Sequence, residues 1–138
     1  MPTNALALYA AVILLFPMAC FLLSAPVFLL VGMEIPEVTQ LLRGIFNGYF
    51  LAIGVAGLIS MMLFAASGRP LFAIGAVAIS FFAIAVRRWL LKRMDAQLQA
   101  RDAGVPSALG QLRLLHVKGM LFNAAQLAVV VASVPSIV

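Results

Sequence analysis

The sequence predicts an all-α integral membrane protein, a four-helix bundle of four spans. Three observations predict it. Charged side chains are missing from residues 1–33, 44–68, 71–86 and 119–138. Of all residues, 65% are hydrophobic and only 9% are charged, whereas a soluble domain carries about 25% charged residues. The apolar blocks are also continuous rather than alternating, which excludes a transmembrane β-barrel. A mean hydropathy of +1.17 fits no water-covered surface.

Length sets the domain count. A hydrocarbon core about 30 Å thick takes about 20 helical residues. Four such helices and their joints use nearly all of the 138 residues. The expectation is a single domain over 1–138, with spans at about 5–31, 44–66, 71–87 and 117–136.

Span one holds Pro17 and Pro26, each removing a helix hydrogen bond. Neighbouring polar groups such as Ser24 and Cys20 are placed to re-satisfy the backbone. No Lys or Arg precedes this span, so it lacks the basic region of a signal peptide and is expected to be retained. Cys20 is the only cysteine and reads as a small buried apolar residue.

Helix two starts at Pro36, a good first helical residue, with Glu37 complementing the helix terminus. Val38, Leu41, Leu42, Ile45 and Phe46 recur at helical spacing, and nothing breaks the run before Ala66. Ser67-Gly68-Arg69-Pro70 is a tight turn, so helices two and three form an antiparallel hairpin. Helix three passes Val86 and continues as an amphipathic segment. Leu90, Met94 and Leu98 line one side, and Arg88, Lys92, Asp95 and Gln99 the other. Gly104 and Pro106 end it, and Ser107 is placed to cap helix four. Helices two and three are thus both extended past the cytoplasmic face. The expectation there is a short two-helix stalk, with Glu37 near Arg88 and Lys92.

The charge asymmetry orients the chain. Seven of nine Lys and Arg lie at 87–118; Arg43 and Arg69 are the others. Loops one and three share a side and hold eight basic residues against one. By the positive-inside rule, the segment 88–116 is cytoplasmic and both termini lie outside the cell inner (plasma) membrane. Arg87, Arg88, Lys92 and Arg93 read as an anchor for anionic lipid headgroups. Nucleic-acid binding is disfavoured, because only Trp89 offers an aromatic among these cations.

Small residues at four-residue spacing mark helix two: Gly44, Gly48, Ala52, Ala56 and Ser60. Ala124, Ala128 and Ala132 repeat the rhythm on helix four. Such stripes let helix backbones approach closely in lipid. The neighbour is either another helix of this bundle or another chain.

Asn47, Asn123 and Gln126 are amides within spans and need partners there. His116, the only histidine, shares a helix-four face with Met120 and Asn123. Asn47, His116 and Asn123 therefore form the candidate polar pocket, with Tyr49 at similar depth. Met/His ligation exists in haem proteins, but a single histidine with no second ligand cluster makes neither a haem nor a copper site. Glu34 and Glu37 fit ion pairing better than paired acid–base chemistry. No ionisable group sits at mid-membrane, which argues against a proton pump or voltage sensor. No catalytic set, metal site or cofactor motif emerges.

Two runs carry a family resemblance. One is Val38-Thr39-Gln40-Leu41-Leu42-Arg43-Gly44-Ile45-Phe46-Asn47-Gly48-Tyr49-Phe50. The other is Arg113-Leu114-Leu115-His116-Val117-Lys118-Gly119-Met120-Leu121-Phe122-Asn123. They resemble the small four-helix membrane proteins of a domain-of-unknown-function family that includes transmembrane protein two-hundred-and-five. There the first run ends in a Phe-Pro-x-Tyr-Phe-like motif, replaced here by Phe46-Asn47-Gly48-Tyr49-Phe50. The second corresponds to an Arg-x-Leu-His run leading to an Asn. The resemblance implies a four-helix fold and interest in His116 and Asn123, and no established activity.

The expected function is association, as an accessory subunit of a membrane complex or as a homo-oligomer. Its partners would be the bilayer, anionic lipids and a membrane protein or second copy. The alternative is a transporter or membrane enzyme for a small lipophilic molecule held near Asn47, His116 and Asn123.

Overall fold

The computed structural model describes residues 3–137. These form α1 (Thr3–Ser24), a 3₁₀ segment (Ala25–Leu30), α2 (Pro36–Ala66), α3 (Pro70–Asp102) and α4 (Ala108–Ile137). All four helices are long and apolar enough to cross a membrane. Span one is not one uniform helix, for it tightens into the 3₁₀ turn at Ala25, just before Pro26. The Ser24 hydroxyl donates to the Phe21 carbonyl in the last α-helical turn (3.4 Å). Cys20 is exposed rather than buried.

The ends of α2 and α3 obey local chemistry. Pro36 and Pro70 open them, where a missing N–H costs nothing. Gly68 (φ 72°) and Gly104 (φ 82°) close them in left-handed backbone, a conformation that glycine adopts without strain. Arg69 N–H donates to the Phe64 carbonyl and Val105 N–H to the Ala100 carbonyl, both at 2.9 Å. These bonds are Schellman closures of the last helical turns. Ser107 serves α4 through its carbonyl, which accepts from the Gln111 N–H at 3.1 Å.

Consecutive helices run antiparallel, and α1 packs on both α2 and α4. Register is marked by side-chain bonds. The Ser60 hydroxyl donates to the Ala10 carbonyl and the Ser80 hydroxyl to the Gly54 carbonyl, both at 2.8 Å. Close approach between α2 and α3 falls at Gly57, where a Cβ would strike the Ser80 side chain and the Ala76 carbonyl. Gly119 on α4 leaves room for the Phe46 ring in the same manner.

The small-residue stripe of α2 behaves otherwise than as a single internal contact. Gly44, Gly48 and Ala52 are exposed, whereas Ala56 and Ser60 are buried. The cause is the helix repeat: four residues turn about 400°, so the stripe drifts about 40° at each step. Over four steps it rotates from the outer surface into the core. Ala124, Ala128 and Ala132 all stay exposed.

Residues 88–101 are helical, and Leu90 and Met94 are fully buried. The extension is nevertheless not a two-helix stalk. The 3₁₀ segment packs on α2 and α4 at this end, where Arg113 donates to the Leu29 carbonyl at 3.0 Å. Nor does Glu37 meet Arg88 and Lys92. Antiparallel register sets the start of α2 against the end of α3, and Arg101 donates to Thr39 Oγ1 at 2.7 Å. Among the described residues the ion pair between these helices is Arg43 with Asp95, at 2.5 Å.

At the opposite end Arg69 bonds the Ser136 carbonyl (3.1 Å) and Asn4 Oδ1 (2.9 Å). The hairpin turn and the two terminal helix ends are thereby tied together on one side.

Candidate functional site

The interior holds a short polar relay among aromatic rings. Tyr49 on α2 is buried and stacks on Phe21 of α1, ring centroids 4.1 Å apart. Its hydroxyl donates to Asn123 Oδ1 on α4. Asn123 Nδ2 in turn donates to the Met18 carbonyl on α1 at 3.3 Å. Three helices are pinned at one level by neutral groups, each satisfying the next.

His116 lies about two turns earlier on the same face of α4. It is fully buried. Phe46 and Phe28 meet it edge-on, at centroid distances of 5.8 and 6.2 Å. The Ala25 main chain is a polar neighbour, yet neither ring nitrogen closes a hydrogen bond among the described residues.

Asn47 does not join this group. Its Oδ1 accepts from Arg87 Nε of α3 at 2.9 Å. Residues two apart on a helix point about 200° apart, so Asn47 and Tyr49 serve opposite sides of α2. Tyr49 thus takes the place expected of Asn47. The predicted trio is split, with His116 and Asn123 on the shared face and Asn47 turned to α3.

The basic anchor is divided too. Arg87 is engaged by Asn47, and Arg93 stacks over Trp89, its guanidinium carbon 5.8 Å from the ring centroid. Lys118 approaches the same ring at 5.8 Å. Arg88 and Lys92 are exposed and offer their charge outward. Below them the Arg43 guanidinium holds the Asp95 carboxyl below the usual carboxylate range, chiefly through their hydrogen bonds.

Two grooves flank the interior. One, about 790 Å³, runs between α1 and α2 and is lined by Gly44, Gly48 and Ala52. The other, about 730 Å³, opens between α3 and α4 and has Gln126 in its lining. Gln126 is buried, and neither its Nε2 nor its Oε1 finds a partner among the described residues. Its amide was legible in the sequence, but not its lack of a partner. Among the described residues no three His, Cys, Asp or Glu side chains converge as metal ligands. The relay can hold helices together, and it presents no paired nucleophile and base.

Compared with family models, curated proteins and solved structures, the chain matches none.

Proposed function

We propose that this chain is a multi-pass inner-membrane protein that works by association, as an accessory subunit of a membrane complex or as a small homo-oligomer. One observation carries the reading. Gly44, Gly48 and Ala52 are exposed on α2, and nothing lies within 4 Å of where a Cβ on either glycine would stand. Bulky apolar side chains gain little from a neighbouring helix over lipid, whereas small ones admit its backbone. A face open in this way, beside a groove, suits a helix from another chain. The outward Ala124, Ala128 and Ala132 offer a second such face.

The orientation belongs to the same proposal. Eight of the nine basic residues lie on loops one and three and their flanks, and Arg69 alone on loop two. That bias favours a cytoplasmic 88–116 segment and outward termini, with Arg88 and Lys92 against anionic headgroups. Membership of the four-helix family is also proposed, and rests on the 38–50 and 113–123 runs alone.

Extraction in mild detergent followed by native mass spectrometry tests association. A second copy or a stoichiometric partner chain supports it. A lone chain that retains a small molecule supports the lipophile-handling alternative instead.

A further inference from the structure

We infer that the cleft between α3 and α4 is a binding site for a neutral, lipid-soluble molecule bearing a carbonyl or hydroxyl group, which the Gln126 amide holds. Gln126 is 6% exposed, and its donor and acceptor are both unpartnered among the described residues. A buried amide in apolar surroundings is costly to leave unpaired, and a helix-bonded backbone offers it little. Gln126 lies in the lining of the cleft between α3 and α4, and a small movement of its side chain would bring the amide to an occupant.

The shape of that cleft selects a slim occupant. Its volume of about 730 Å³ lies within the roughly 300–1,000 Å³ of small-molecule sites. Gly75, Ala76 and Ala11 make a low floor, and Leu71, Phe82 and Val129 stand exposed along the rims. Raised rims hold another helix backbone away from the recessed amide. The close-approach stripe of α4, Ala124-Ala128-Ala132, lies outside this lining. From Gln126 to Ile137 the cleft follows α4 for about 16 Å at 1.5 Å per residue.

The lining also selects charge. It contains no Asp, Glu, Lys or Arg, so an ionised group would be buried without a counter-ion. The amide NH2 can donate to the oxygen of a ketone, quinone or alcohol on an apolar body, and an alcohol can also donate to the amide oxygen. This site lies apart from Asn47, His116 and Asn123, and it stands whether or not the chain associates with others.

Benzophenone, a ketone between two apolar rings that labels protein on illumination, is a suitable probe. The full chain in lipid nanodiscs would be labelled, with and without an excess of a decyl-substituted benzoquinone, and the adducts mapped by mass spectrometry. Adducts should concentrate on α3 and α4 residues of the cleft and fall on competition. Gln126→Leu should reduce them about tenfold, as for one lost hydrogen bond. Gly75→Leu, at a position with open space around it, should block the floor and reduce them while leaving Gln126 in place. If Gln126→Leu does not fold, Gly75→Leu decides the matter. Labelling spread evenly over lipid-facing residues, labelling unchanged by the folded variants, or two copies cross-linked through this cleft would each overturn the inference.

Discussion

The Tyr49 hydroxyl donates to the Asn123 amide oxygen, joining α2 to α4 in the interior, and Asn123 passes the link on to the Met18 carbonyl of α1. Both side chains are buried, so removing Asn123 would strand the Tyr49 hydroxyl, whereas removing Tyr49 would strand Asn123 Oδ1 and leave its Nδ2 on the Met18 carbonyl.

Tyr49→Phe keeps the ring stacked on Phe21 and removes the donor. It should lower the unfolding free energy by about 0.6–2 kcal/mol, the range for hydrogen bonds between membrane helices. Titration with a denaturing detergent in mixed micelles reads this directly. A double-mutant cycle with Asn123→Ala should return a coupling of at least about 0.5 kcal/mol. Strict additivity would mean that the relay contributes no joint stability.

At His116 packing and chemistry part company. Its ring is enclosed by Phe46 and Phe28, and neither nitrogen closes a hydrogen bond among the described residues. His116→Leu keeps most of the volume and deletes unpaired polar atoms, so stability should hold or rise. His116→Ala leaves a cavity and should cost about 2–4 kcal/mol. Thermal unfolding in detergent separates the two. A Leu variant as unstable as the Ala variant would show that the imidazole makes a polar interaction worth more than its packing.

The Arg43–Asp95 pair supplies a pH signature. Asp95 titrates below its ordinary value in the folded chain because Arg43 bonds its ionised form. A carboxyl with a lowered folded pKa adds stability above its unfolded pKa, and loses it as pH falls through the folded value. Both side chains are more than a third exposed, so the gain is screened and amounts to about 0–1 kcal/mol. Asp95→Asn should therefore be mildly destabilising at pH 7, and the gap to wild type should close below about pH 4 and shrink in high salt. A gap that widens in acid would contradict the pairing.

The helix boundaries were legible because their punctuation is chemical. Pro36 and Pro70 suit first helical positions, and Gly68 and Gly104 suit left-handed closures. The Leu90-Met94-Leu98 spacing likewise gave away the continuation of α3. Side-chain direction was harder to read. A four-residue stripe looks like one face over two steps but rotates off it over four, which is why Gly48 is exposed and Ser60 buried. Asn47 and Tyr49 share a depth while facing opposite sides, and only tertiary contacts show which of them reaches Asn123. Glu37 was matched to Arg88 without the antiparallel register that carries it toward the end of α3. His116 borders charged Arg113 and Lys118 in sequence, yet the Phe46 ring beside Gly119 helps seal it in the core.

Orientation gives a separate expectation. With Arg43 and residues 87–118 on the cytoplasmic side, a reporter joined after Val138 should be active only when exported. A reporter fused within 103–107, between α3 and α4, should be active only in the cytoplasm. Stable full-length fusions with the opposite pattern would reverse the proposed topology.

Association through the outer face of α2 is tested by setting Gly48 against Gly57. The measurement is native mass spectrometry of the mildly extracted wild type, Gly48→Leu and Gly57→Leu, with helical content and melting recorded for each. Gly57 abuts Ser80 and the Ala76 carbonyl, while Gly48 has open space. Gly57→Leu should thus damage the fold by about 1–3 kcal/mol or more, as overpacking does. Gly48→Leu should melt like the wild type and lose the second copy or partner chain that the wild type carries. A wild type without any bound chain, or a Gly48→Leu variant that keeps its full assembly, would contradict the account.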